Sequence, residues 1–231
     1  MQCRHCGFLL LHNLIDLGFA PPSNSYLTEE DLVKPETYYP LKIKVCHNCW
    51  LVQTEDFVAA DKMFTPDYAY FSSASGSYLA HAAEYVDKMI RELSLSKDSF
   101  VIEIGSNDGY LLKNFIAASI PCLGIEPSTE TARVAESQGI SVVHKFFNSL
   151  MAQVLPKADL ILGNNVYAHV PDINGFTAGM KIALKEGGTI TLQFPHLTNL
   201  LKETQFDTIY HEHFSYLSLC VVARIFASAG L

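Results

Sequence analysis

At 231 residues, with 49% apolar side chains and a formal charge of −8, the chain can bury one sizeable core and a small module beside it. The negative balance disfavours a phosphate backbone as partner, and no apolar run approaches the ~20 residues of a membrane span. The opening "MQCRHCGFLL" carries cysteines where a leader would need an apolar run and a cleavage site. The expected setting is therefore cytoplasmic, with neither nucleic acid nor membrane as partner.

In chain order, the first chemistry is "CRHC", with Cys3 and Cys6, answered by "CHNC", with Cys46 and Cys49. A two-residue gap lets both thiolates of a pair face one ion, and two such knuckles close a tetrahedron. The reading is a structural Zn2+ site; two redox pairs or four buried thiols are the alternatives. His5 and His47 lie inside the knuckles and could replace a thiolate, but four cysteines suffice. Gly7 follows the first knuckle, where a tight turn needs a positive φ. Between the knuckles, "DLGFAPPSNSYL" reads as loop, and Leu41, Ile43 and Val45 alternate as in a strand. "WLVQTEDFVAADKMF" reads as a short strand and a turn. Cys122 and Cys220 each sit in apolar sequence and read as inert core residues.

A helix follows, carried by Tyr78, Leu79, Ala82, Tyr85, Val86, Met89, Ile90 and Leu93, with Ser77 as its N-cap. From Ser99 the pattern alternates. "FVIEIG", "CLGIEP", "SVVHKFF", "ADLILGNN" and "GGTITLQFP" read as strands. "GYLLKNFIAA", "STETARVAESQG" (ended by Gly139) and a stretch from Phe176 to Leu184 read as helices. This is an α/β chain with a Rossmann-like parallel sheet behind a small N-terminal zinc-binding module, divided as 1–66 and 67–231. Ligands of such sheets bind at the carboxyl ends of the strands.

The loop after the first strand, "EIGSNDG", places glycines at Gly105 and Gly109, where backbone approaches a ligand. It puts Asn107 where a dinucleotide site wants a glycine beside the pyrophosphate. Glu126 stands at the tip of the next strand, placed to take both hydroxyls of a ribose. Together these features favour S-adenosylmethionine over a nicotinamide cofactor. "QFDTIYHEHFSYLSL" then gathers Asp207, Tyr210, His211, Glu212 and His213, all able to hold or move a proton.

The paired knuckles, "YAYFSSASGS", "VIEIGSNDGYLL", "GIEPS", "NNVYAHVPD" and "QFDTIYHEHFSYLSL" run nearly end to end. In these the chain resembles the sugar C-methyltransferases that act on nucleotide-linked deoxy-keto-sugars. The resemblance implies a class I methyltransferase sheet, S-adenosylmethionine as cofactor, and a nucleotide-linked keto-sugar, dTDP-linked, as substrate. It also implies that relatives run on for more than a hundred residues past the position of Leu231, and that two terminal sheet strands are missing here. That leaves an exposed sheet edge open to self-association. By resemblance, Glu212 and His213 are the base candidates, singly or as a pair. Tyr210 donates to the sugar or its enolate, and His169 faces the crevice. Tyr68 and Tyr70 lie on a loop near cofactor and sugar, Tyr70 being preferred. Ser72, Glu103, Gly105, Asn107, Asp108, Gly109, Glu126, Pro127, Phe147, Asn164 and Asn165 complete the cofactor set with Tyr68. His211 reads as structural. Other readings are a methyltransferase on an oxygen or nitrogen acceptor, and a truncated, non-catalytic cofactor-binding scaffold. On the bland reading, Glu212 merely complements the dipole of a helix over "FSYLSLCVVARIF".

Overall fold

Three strands carry the N-terminal third of the chain: β1 (His12–Ala20), β2 (Tyr39–Val45) and β3 (Val52–Thr54). The computed structural model describes residues 1–57, 63 and 70–231. β2 forms as its alternation dictates, with Leu41 and Ile43 buried. β1 corrects the loop expected over "DLGFA". It pairs antiparallel with β2 from His12 opposite Val45 to Ala20 opposite Tyr39, with two register shifts. Its residues are mostly exposed, so no buried face prints a period of two on its sequence.

The next elements run α1 (Gly76–Glu92), β4 (Val101–Ile104), α2 (Leu112–Ala117), β5 (Cys122–Ile125), α3 (Thr129–Ser137), β6 (Ser141–Val143), α4 (Ser149–Ala152), β7 (Ala158–Asn164), α5 (Ile173–Ala183) and β8 (Leu184–Gln193). α1 is capped by Ser75, whose Oγ accepts from the Tyr78 amide at 3.3 Å, rather than by Ser77. β6 stops at Val143, short of the expected "HKFF". Leu184 opens β8 instead of closing α5. The five strands form one parallel sheet in the order β6-β5-β4-β7-β8. The chain reverses direction about β4, so the crevice at the carboxyl ends of β4 and β7 is the topological switch point. All four residues of β4 are buried. Ala82, Val86 and Met89 of α1 pack with Tyr110, Leu112 and Phe115 in the main apolar cluster.

The chain ends with α6 (Leu197–Glu203), β9 (Ser215–Tyr216) and α7 (Leu219–Ser228). The helix expected over "FSYLSLCVVARIF" is thus a short strand followed by a helix. β9 pairs antiparallel with β3, Val52 opposite Tyr216, and completes the sheet β1-β2-β3-β9. A second apolar cluster, with Leu41, Ile43, Val52, Leu200, Ile209 and Tyr216, holds these pieces together. Two compact units result. One comprises Met1–Met63, Asn165–Thr177 and Phe194–Leu231; the other comprises Phe64–Asn164 and Ala178–Gln193. Packing therefore interleaves the chain, whereas the sequence reading cuts it once, at residue 66. No helix among the described residues is long and apolar enough to cross a membrane.

Candidate functional site

In the first unit, the two knuckles are built alike. The Gly7 amide donates to the Cys3 carbonyl at 2.9 Å, and the Trp50 amide to the Cys46 carbonyl at 2.8 Å. Gly7 has φ +73°, as its turn requires, and Trp50 adopts φ 67° at the equivalent place. The second left-handed position has no signal in the sequence because it carries no glycine. The Sγ atoms of Cys3, Cys6, Cys46 and Cys49 all lie within 4.8 Å of one another. A tetrahedral zinc with Zn–S bonds of ~2.3 Å needs sulfurs about 3.8 Å apart, so the cluster fits such an ion. Gln53, fully buried, donates its Nε2 to Cys3 Sγ at 3.2 Å. The Cys49 thiol beside it, this amide and nearby backbone N–H groups hold Cys3 below the ordinary thiol range. The proton stays on Cys49, which the same contact and burial push up. A preformed thiolate is the state a metal takes. His5 is not among the sulfur ligands; its Nδ1 pairs with Asn174 Oδ1 at 2.8 Å.

The same unit gathers the proton-transfer candidates. The "YHEH" residues lie in the turn before β9, held from several sides, and His211, Glu212 and His213 are all buried. The Thr208 carbonyl lies 2.8 Å from His213 Nδ1, so that nitrogen carries the proton. His213 Nε2 is then the acceptor, 3.1 Å from Tyr210 Oη, which donates to it. His169 Nδ1 donates to the Glu212 carbonyl at 2.9 Å, and its ring centroid lies 4.6 Å from that of His213. Burial brings both histidines down to about 4, and for His213 the neighbouring His169 adds to it. Both are neutral imidazoles near pH 7, the form that can accept a proton. The Glu212 carboxylate accepts at Oε1 from Ser23 Oγ at 3.0 Å and Asn24 Nδ2 at 2.7 Å. Glu212 lies seven residues before α7 and is 1% exposed, so it is not a helix-dipole charge. His211 Nε2 donates to the Pro40 carbonyl at 3.2 Å. Cys220 is exposed, correcting the core role expected of it, whereas Cys122 is buried. α7 turns Val221, Val222 and Ile225 inward and leaves the preceding sulfur outside.

In the second unit, the cofactor candidates meet at the strand ends. Glu126 is buried; its Oε2 accepts from the Asn107 amide and its Oε1 from the Ser128 amide, each at 2.9 Å. It thus ties the loop after β4 to the loop after β5. Asn107, at φ 49°, accepts from the Ser72 amide at 2.9 Å and donates Nδ2 to the Tyr70 carbonyl at 3.0 Å. Asp108 Oδ2 accepts from the Ser73 amide at 3.1 Å. "SNDG" is therefore also a clasp for the segment 70–73, a role that sequence spacing does not reveal. The Tyr70 side chain is exposed. Tyr68 lies outside the described residues. Gly105 keeps the left-handed turn at φ 70°. Gly109 has a different reason: at φ +77°, a Cβ there would clash with Ile140 Cδ1 and stand 3.0 Å from Ala135 Cβ. Its missing Cβ makes room for the packing against α3. Phe147 is buried, and its ring edge lies 2.9 Å from where a Cβ on Gly179 would stand.

Glu103, fully buried, has no hydrogen-bond partner on either oxygen among the described residues. Burial raises its carboxyl well above the usual range, and the charges of Glu126 and Asp108 add to this. Burial raises Glu126 as well. Three acids at one strand end suit a ligand that brings positive charge. A pyrophosphate would meet repulsion, and the Asn107 amide is already engaged by Glu126. A sulfonium and an ammonium group fit this donor set where a dinucleotide does not. Nearby, Asn164 Nδ2 donates to Tyr110 Oη at 3.2 Å, beside a cavity of about 110 Å³ that Tyr78, Tyr85, Thr191 and Gln193 also line. Asn165, at φ 52°, is exposed.

Comparison with known proteins agrees with this geometry. A family model described as a methyltransferase domain matches residues 78–231, and one described as a zinc-binding domain matches residues 3–64. The C-methyltransferase NovU of Streptomyces niveus is 33% identical over 234 residues, covering 100% of this chain and 56% of that protein. The chain therefore spans little more than half the length of this curated relative. A SAM-dependent methyltransferase from Archaeoglobus fulgidus superposes with TM-score 0.53 at 17% identity, over 68% of this chain and 74% of that one. The YcgJ protein of Bacillus subtilis does so with TM-score 0.51 at 19% identity, over 65% and 68%. Having the class I fold and a matching model over two-thirds of its length, the chain belongs to the methyltransferase-domain family.

Proposed function

We propose that this protein is an S-adenosylmethionine-dependent C-methyltransferase acting on a ring carbon beside the ketone of a nucleotide-linked keto-sugar. The observation that carries the reading is the buried cluster of Tyr210, His213, His169 and Glu212, in which both histidines are neutral. Transfer to oxygen or nitrogen calls for no carbon base. Transfer to carbon requires a C–H proton to be removed first. The NovU relative is itself named a C-methyltransferase.

On this reading, His213 Nε2 or the Glu212 carboxylate takes the proton next to the ketone. His213 is suited to it because its Nδ1–H is held on the Thr208 carbonyl, which leaves the lone pair on the other nitrogen. Tyr210 donates to that nitrogen in the absence of substrate; turning its O–H to donate a hydrogen bond to the developing oxyanion would free the Nε2 lone pair for the C–H proton. In the second unit, Glu126 would hold the ribose, and the acids about Glu103 would face the charged end of the cofactor. When bound, S-adenosylmethionine supplies an activated methyl on a sulfonium. The four-cysteine cluster would hold Zn2+ structurally, since four thiolates leave no open position.

The test is proton exchange. A nucleotide-linked 4-keto-deoxysugar is incubated with enzyme and S-adenosylhomocysteine in deuterated water, and its ring C–H signals are followed by NMR. One position should exchange faster with enzyme than without. His213→Asn and Glu212→Gln should slow it by roughly a hundredfold where the residue is the base. Undiminished exchange in both variants refutes the assignment.

A further inference from the structure

We propose that Ser23 and Asn24, on the turn between β1 and β2, are positioning residues for Glu212. The inference rests on the function proposed above and deepens it. Nothing in "PPSNSYL" marks these residues as part of a site; only the fold brings them there, across 189 and 188 positions of sequence.

The geometry is that of an orienting clamp. Both donors converge on one oxygen, Oε1, at 3.0 and 2.7 Å. Two donors on one oxygen restrict the carboxylate more than a single donor would. The donors are themselves held. Pro21 and Pro22 restrict φ just before them, and the Ser25 amide closes a turn onto the Pro22 carbonyl at 3.3 Å. The main chain of Glu212 is tied separately, its carbonyl accepting from His169 Nδ1. Glu212 is thus anchored at backbone and side chain by different segments of one compact unit. A buried carboxylate without hydrogen-bond donors is costly, and a group that takes or relays a proton gains rate from being held in one orientation. The N-terminal module would then serve the chemistry directly, as well as the fold.

The test is a double-mutant cycle read by the exchange assay. Ser23→Ala and Asn24→Ala should each lower the exchange rate about tenfold, with little change in the substrate concentration at half-maximal rate. Ser23→Thr should restore most of the loss by keeping the hydroxyl. On a Glu212→Gln background the alanine variants should change the rate little further, because the residue they act through is already altered. A merely structural role would instead subtract the same factor in both backgrounds, and that result overturns the proposal. Glu212→Gln slow with both alanine variants at full rate overturns the positioning role alone. Glu212→Gln at full rate overturns this inference, and the functional reading then rests on His213→Asn alone. A second readout needs no substrate: the side-chain amide proton resonances of Asn24 should move in Glu212→Gln, and unmoved resonances also overturn the proposal.

Discussion

His169 and His213 make the first unit sensitive to acid. Their folded values of about 4 lie below the ordinary 6.5. Above pH 6.5 both states are neutral and nothing is lost. As pH falls from 6.5 toward 4, the unfolded chain gains protons that the folded one refuses, so stability declines. The difference amounts to about 3 kcal/mol per histidine at the bottom of that window. Urea denaturation at pH 7.5 and pH 5 should show this loss, and His169→Asn should remove a large part of it. Glu103 has the opposite sign. Its raised carboxyl makes folding less favourable as pH rises above 4.5, because the unfolded chain ionises first. Glu103→Gln should therefore raise the melting temperature more at pH 8 than at pH 5, with a gain of roughly 1 kcal/mol or more. On the proposed reading it should also weaken cofactor binding. An unchanged difference between the two pH values would show that Glu103 is not the titrating group. Glu126→Ala should weaken S-adenosylhomocysteine binding by roughly 1–3 kcal/mol in calorimetry, since it removes an acceptor and frees two loops it now joins.

At the scale of the element, the turn from β4 to α2 is fixed by packing against α3. Gly109→Ala places a methyl against Ile140 and Ala135 in a conformation that L residues resist. The Ile140 end can swing away, but Ala135 Cβ at 3.0 Å and its Cα at 3.2 Å cannot. We expect a loss of roughly 2–4 kcal/mol by denaturant titration, and Ile140→Val should rescue little of it. Full recovery in that double variant would show that the clash is with the isoleucine alone. Gly124 carries a similar constraint, since a Cβ there would collide with Ser106 Oγ.

For the whole molecule, the four-cysteine cluster and the parallel sheet draw on different cores. The cluster belongs to the unit built around β1, β2, β3 and β9, while the main apolar cluster lies wholly in the other unit. Protein purified without added metal should carry one zinc per chain by elemental analysis. Cys3→Ser should abolish that and unfold the first unit at lower denaturant. Arg4, between the two cysteines of the first knuckle, donates to Pro171 and Thr54 carbonyls and to Asp56, so the loss should spread to the segment that carries His169. Binding of S-adenosylhomocysteine in the second unit should survive, because its residues and its core lie in the other segments. Loss of that binding in step with the zinc would show that the two units do not fold separately.

Periodicity and spacing made the parallel sheet legible: "FVIEIG", "CLGIEP" and "ADLILGNN" are buried strands whose apolar runs leave no other option. The two Cys-x-x-Cys pairs specified the four-cysteine cluster, because a knuckle is a local geometry. "EIGSNDG" and Glu126 placed the candidate cofactor loop at the strand ends, where the topology of any such sheet puts it. What the sequence alone could not decide depends on contacts between distant segments. β1 carries no alternation because its residues are mostly exposed, and β9 is a two-residue strand that exists only because β3 pairs with it. The neutral state of His169 and His213 comes from burial, and the orientation of Glu212 comes from Ser23 and Asn24. Residues nearly 190 positions apart have no local signature, and only the tertiary structure brings them within a hydrogen bond.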